Sequence, residues 1–296
     1  MKEKSSHSHN YSVSNIKVAF LLNFFFTVLE LIGGILFNSM AILSDALHDL
    51  GDSISLGLAW VFGKLSQKDH NEQFTYGYKR YSLLAALINT IVLIVGSFIV
   101  LWNAVPRLLD PVHANAKGMI GFAIIGIMVN GFAVLKTKKG KTLNEKVISW
   151  HLLEDVLGWI GVLIVGLIMF VKDIHILDPI LAIVFTVYIL YNVFINFRKT
   201  ILLFLQAVPE DININKLDEM FKDIKNVQDV QHTHVWSLDS EHHVLTTHLI
   251  IKSSSDLKDI NRIKREAHMI TKKQDFEHVT IEIDFEQEHT DCFSKD

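Results

Sequence analysis

The chain has 296 residues, half of them hydrophobic, a formal net charge of −4 and a mean hydropathy of +0.29. That is too apolar for an ordinary soluble protein and fits a membrane class. The single cysteine, Cys292, excludes an intramolecular disulfide and suits a reducing cytoplasm.

In chain order, residues 1–15 read as a polar arm with no small-residue cleavage site behind it. The first apolar segment is therefore expected to be a retained helix and not a signal peptide. His7 and His9 in this arm are able to capture metal loosely, although a disordered arm is the favoured reading. A span needs about 20 mostly apolar residues. Six segments qualify before about residue 205, roughly 16–37, 40–63, 81–102, 116–135, 147–171 and 178–203. Residues 16–205 are thus expected to form a six-helix transmembrane bundle.

Lysine and arginine in short loops set orientation. Lys64, Lys68, Lys79 and Arg80 occupy the loop after the second span, and Lys136, Lys138, Lys139, Lys141 and Lys146 the loop after the fourth. The intervening loops hold little more than Arg107 and Lys172. Both termini are predicted to be cytoplasmic in a multi-pass protein of the cell membrane.

The second segment contains SDALHDLGDSISLGLAW, which places Asp45, His48, Asp49 and Asp52 in an otherwise apolar helix. His48 and Asp52 are four residues apart and so share a face. The fifth segment repeats the pattern with His151 and Asp155. A charge at the bilayer centre costs about 2.5–3.5 kcal/mol on insertion scales, so such groups must face the interior and find partners. Two imidazoles and two carboxylates match a tetrahedral Zn²⁺ site, and the cation neutralises both acids. One copy of the pattern is as readily structural as functional; two copies on separate spans favour the metal site. Asp45 is expected behind the ligands, Asp49 toward another helix, and Glu154 away from the site. Interhelical hydrogen bonding is the reading for Glu30, Asn23, Asn89 and Asn130.

Residues 206–296 read as a separate polar domain with 11 Lys and Arg against 19 Asp and Glu, and the first 205 residues carry 17 against 13. A domain of net −8 has little to neutralise phosphates, which argues against nucleic acid as a partner. Its periodicities run α-β-β-α-β, a pattern predicting a ferredoxin-like two-layer module. Leu217, Phe221 and Ile224 mark one helix, and Leu257, Ile260 and Ile263 the other. His232 and His234 are expected on one strand face together with Val230 and Trp236.

The stretches SDALHDLGDSISLGLAW, FTYGYKRYSLLAALIN and GKTLNEKVISWHLLEDVLGW resemble the signature regions of the cation diffusion facilitators, in particular the bacterial cobalt–zinc–cadmium efflux branch. The resemblance covers nearly the whole chain. It implies a homodimer in a lipid membrane that exports divalent metal, zinc foremost and also cadmium or cobalt, from the cytoplasm against inward proton flow. It also implies a cytoplasmic metal site on His232, His248 and Asp284, with His278 as a further candidate. In relatives a basic residue at the position of Arg80 pairs across the dimer. The chain departs from many relatives in having KTKKGKTLNEK between the fourth and fifth spans, without histidine. It has Phe74 and Tyr78 where some carry a metal-binding loop, and Gln231 where a further histidine is common. His242 and His243 are expected in a solvated turn, while for His289 and Cys292 metal binding and a frayed tail are equally open readings.

Alternatives from other classes are a membrane-anchored metal sensor or buffer, a channel, and an intramembrane metalloprotease. The last needs a His-Glu-x-x-His helix and an open position for a catalytic water, and the chain offers HLLED. No enzymatic activity is therefore expected.

Overall fold

A computed structural model describes residues 5–66, 68, 70–137 and 143–286; within these, the side chains of 5–19, 22 and 136–151 and a few at the end of the second helix are not described. The chain divides into two compact units, one of residues 1–63 with 85–197, the other of 64–84 with 198–296.

Helices occupy all six apolar segments: α1 (Ser5–Leu36), α2 (Met40–Ser66), α3 (Tyr81–Ala104), then after the one-turn α4 (Pro106–Leu109), α5 (Ala116–Thr137), α6 (Leu143–Lys172) and α7 (Leu177–Phe204). Among the described residues, four stretches, on α3, α5, α6 and α7, are long and apolar enough to cross a membrane. α2 does not meet that standard because its acids interrupt the apolar run. Trp102, Phe132 and Val171 stand 83%, 70% and 77% exposed on these helices. Apolar side chains on outward faces mark helices solvated by lipid, and the chain is a membrane protein.

Inside the bundle, Ile42, Met119, Ala123, Trp159, Val162 and Met169 are buried together. A Cβ on Gly126 would lie 2.3 Å from the Trp159 indole, so α5 and α6 meet as closely as they do only because that position lacks a side chain. The α1–α2 contact includes a polar cluster. Asn23 donates to Asp49 O at 3.2 Å and to Ser53 Oγ at 3.0 Å, and the Thr27 and Ser53 hydroxyls are 3.3 Å apart.

The start of α2 is fixed from a distance. Ser39 precedes the helix and accepts from Ile42 N. Asp178, in the first turn of α7 and 1% exposed, accepts from Ser39 Oγ at 2.5 Å, Met40 N at 2.7 Å and Ala41 N at 3.2 Å. These backbone donors have no partner within their own helix, and one carboxylate 138 residues away satisfies them.

The second unit contains α8 (Ile214–Lys222), β1 (Val227–Ser237), β2 (His243–Ile251), α9 (Leu257–Lys273) and β3 (Phe276–Phe285). The sheet order is β1-β2-β3, with β1–β2 antiparallel and β2–β3 parallel across the α9 connection. Leu217 and Phe221 of α8 and Ile263 and Ala267 of α9 pack on Val230, Val235, Leu245, Leu249 and Ile251. Leu257, expected on the buried stripe, is 77% exposed. Asp256 caps α9 by accepting from Lys258 N and Asp259 N, which makes Leu257 the first helical residue, a turn ahead of the packed face.

β1 also departs from simple alternation. Val230 and Val235 are both buried, five residues apart, because the ladder slips between Gln231 and His234. This bulge inserts one residue and reverses the facing of the rest of the strand. His232 and His234 therefore do not share a face with Val230; Thr233 turns toward α8, its hydroxyl 2.7 Å from Asp218 Oδ1.

Candidate metal centre

α2 is aligned by its capped start, and its later turns present the ionisable groups. Asp45 and Asp49 are buried, Asp45 on the side facing α6. There it lies against Gly158, where a Cβ would sit at ordinary contact distance, 3.6 Å from Asp45 Oδ1. His48 Nε2 is 3.8 Å from Asp52 Oδ2, one helical turn on, with both side chains about a quarter exposed. Asp155 of α6 is half-buried and within electrostatic reach of Asp45 and Asp49. Asp45, His48, Glu154, Asp155, Gly158 and Tyr188 line one cleft of about 390 Å³ between α2, α6 and α7.

Among the sequence candidates, His48, Asp52 and Asp155 thus converge on one region of the bundle. His151 precedes Asp155 by one turn of α6, and its side chain lies outside those described. The expectation that Glu154 turns away needs correction. It lines the same cleft, and the Tyr188 hydroxyl of α7 donates to it. Neither Tyr188 nor Gly158 was singled out by sequence, since a tyrosine and a glycine in apolar helices carry no signal until the partner helix is known. Glu30 of α1 is fully buried beside Asp49.

The second cluster lies on the sheet face away from α8 and α9. Leu245, Leu249 and Ile251 point to the helices, so alternation turns His248 to the other face. Parallel pairing sets Glu282 opposite His248 and Asp284 opposite Ile250. His248 Nδ1 is 2.8 Å from Asp284 Oδ2, and Nε2 is 3.6 Å from Glu282 Oε2. The His232 ring is 5.4 Å from that of His248. His232 has φ +50°, in the left-handed region, so the bulge aims this ring at a cost in backbone strain. Imidazole and carboxylate oxygens in this grouping are able to hold a divalent ion.

His278 does not join the cluster. It pairs with Val244, four residues from His248 along β2, roughly 13 Å at the usual strand rise. Its ring instead meets the edge of Tyr76 at 5.1 Å. Glu282 takes part though it was not a sequence candidate, because its place depends on the parallel register. Gln231 donates to Asp229 at 2.9 Å and, with Lys222, holds that carboxyl below its ordinary range. His243 is buried 3.5 Å from Asp211, contrary to its expected solvation, since it opens β2 and does not lie in the preceding turn. The positions of Phe74 and Tyr78 form an aromatic contact at 4.6 Å, with Asn71 donating to the Tyr78 hydroxyl. His7 and His9 have side chains outside those described, and His289 and Cys292 lie beyond the described residues.

Residues 16–205 match the family model for the cation efflux transmembrane domain, and residues 209–286 that for the cation efflux protein cytoplasmic domain. The chain is similar to a cadmium, cobalt and zinc/H(+)-K(+) antiporter of Bacillus subtilis, 28% identical over 291 residues, 96% of this chain and 94% of that protein. It is 31% identical to the zinc transporter ZitB of Yersinia pestis over 245 residues, 81% of this chain and 78% of the relative. It is 26% identical to the metal cation efflux system protein CzcD of Cupriavidus metallidurans over 285 residues, 95% and 90% of the two chains.

Proposed function

The chain belongs to the cation efflux family, and on that premise we propose that it is a Zn²⁺/H⁺ antiporter that also accepts cadmium or cobalt. The observation that supports this most directly is the shared cleft of Asp45, His48 and Asp155 between α2, α6 and α7. In this reading the six helices all span the cell membrane with both termini inside, and His48, Asp52, His151 and Asp155 bind the ion as substrate. Binding requires neutral imidazoles and ionised carboxylates, so it releases protons. Histidine's ordinary pKa near 6.5 lets the ligands recover protons on a more acidic exterior. Ion release outward and proton return inward then form one alternating cycle. Asp45, buried, and Glu154, exposed, line the same cleft and add to its negative charge.

Proteoliposomes loaded with a zinc dye and a pH dye test this. Zinc movement should require the proton gradient and should collapse it. Zinc flux that is indifferent to the gradient would indicate a channel, and none would indicate a sensor or buffer. His48→Asp should make one helix's ligands all oxygen and hence harder. We expect Mn²⁺ to compete with zinc better in this variant than in the parent; unchanged competition would remove His48 from the ligand set.

The cytoplasmic unit, as we read it, is a ferredoxin-like dimerisation module whose His232, His248 and Asp284 bind a regulatory zinc ion, with Glu282 as an added donor. Lying outside the spans, these residues act on transport only through a conformational equilibrium. His232→Ala with His248→Ala should lower zinc retention by the full chain. It should also move the zinc concentration for half-maximal flux by about 5–150-fold, the usual range of such coupling. Normal half-saturation despite lost zinc would reduce the site to a structural staple.

A further inference from the structure

We propose that His113, Asp173 and His175 form a separate divalent-metal site at the end of the bundle where α2, α5 and α7 begin. Neither histidine lies in a sequence motif, and neither belongs to the two clusters above. His113 Nδ1 is 2.7 Å from His175 Nε2, which is in turn 2.8 Å from Asp173 Oδ1. The two rings are 4.2 Å apart, inclined at 72°. One donor atom from each residue lies within 4.8 Å of the others.

The hydrogen-bond geometry leaves one donor among three such atoms. Ala114 N donates to His175 Nδ1 at 3.3 Å, so a neutral His175 carries its proton on Nε2. That one proton faces two acceptors, the Asp173 carboxylate and the lone pair of His113 Nδ1. A divalent cation in its place would serve all three. The His175 proton would move to Nδ1, at the cost of the long contact from Ala114, which frees Nε2 to bind the ion with no net release of protons. Around a tetrahedral ion with bonds of about 2.0–2.1 Å, the two nitrogens would separate by only about 0.6 Å from where they stand. Water would complete the shell, since His113 and Asp173 are exposed. Two imidazoles and one carboxylate suit Zn²⁺, Co²⁺ or Cd²⁺ better than Mg²⁺ or Ca²⁺.

The α4–α5 loop is held in place before any ion arrives. Asn38 Nδ2 donates to His113 O at 3.1 Å, Arg107 Nη1 to Asn38 O at 3.1 Å, and Asn115 N to Phe37 O at 2.8 Å. Asp173 ends α6 with φ +53°, a conformation aspartate tolerates better than most residues, which turns His175 back over the bundle end. A bound ion would tie the α4–α5 loop to the α6–α7 loop, and so oppose any motion that draws them apart.

The site does not depend on the antiporter reading, and the test separates the two. The full-length background is Asp155→Ala, His232→Ala and His248→Ala, which disables the other candidate sites. Cobalt chloride alone is titrated into the purified protein, and the visible absorption of tetrahedrally ligated cobalt is recorded. The background should show this band, and both His113→Ala and Asp173→Asn should lose it. Asp173→Asn keeps the side-chain shape and tolerates the same backbone angle, so its loss of signal at an unaltered unfolding temperature reports ligation and not misfolding. No band in the background, or a band that survives both changes, would overturn the proposal.

Discussion

Asp155→Ala, and separately Asp52→Ala, should reduce zinc-driven proton movement to the level of empty liposomes while the protein still assembles. Each change removes one of four proposed ligands and one of the two negative charges opposing the cation. Losing even an outer partner of a metal ligand typically costs 10–100-fold in affinity or activity, so a ligand that also carries charge should cost about 100-fold or more. The change should not unfold the bundle. Asp155 is only half-buried at the cleft, and removing a carboxylate near Asp45 and Asp49 relieves like-charge repulsion in a region where charge is costly. A raised or unchanged unfolding temperature combined with absent flux is the expected pair of results. Normal flux in both variants would sink the transport-site assignment.

Asp178→Ala should act in the opposite way, through stability. Its carboxylate takes the Ser39 hydroxyl and two backbone N–H groups at the start of α2, all in a buried setting. Without it, these donors are left inside the protein with no acceptor, at about 1–3 kcal/mol each. The carboxylate also sits favourably at the N-termini of both α2 and α7. We expect a loss of about 3–5 kcal/mol, near the cost of breaking a buried charged network. Thermal unfolding in detergent should show it directly, with Asp178→Asn intermediate because its carbonyl oxygen retains one acceptor. An unfolding temperature within error of the parent would show that Ser39 and water cap α2 unaided.

The two proposed regions differ in how much of them the sequence makes legible. On α2 the informative distances are within one helix, so spacing alone sets His48 and Asp52 on a common face. Tyr188 and Gly158 depend on which helices are neighbours, and no local pattern encodes that. In the cytoplasmic unit the helical and strand periods identify each element, but not the slip between Gln231 and His234. A bulge of one residue leaves no periodic trace in a strand this short. The participation of Glu282 and the separation of His278 both result from the register of two parallel strands joined through α9. Register is a tertiary quantity, set by how α9 packs, and the sequence of β3 alone is compatible with several. Asp178 and Ser39 pose the same difficulty over a longer interval. An aspartate at a helix start reads as an ordinary cap, and nothing local says that the helix it caps is a different one.

The parallel pairing of β2 with β3 has a consequence for the order of events in synthesis. His248 and Asp284 are 36 residues apart in sequence, with α9 between them. They meet only after the crossover has closed, and closure over such a span is slower than forming the β1–β2 hairpin. The hairpin that carries His232 and His248 leaves the ribosome first, with the carboxylates still to come. A nascent chain therefore presents two imidazoles and an unpaired edge on β2 before it has a complete site. Zinc captured at that stage would be held weakly and exchanged quickly, and tight retention would begin only when β3 docks. Under the proposed zinc site, retention by the finished chain would double as a record that its last strand has found its register.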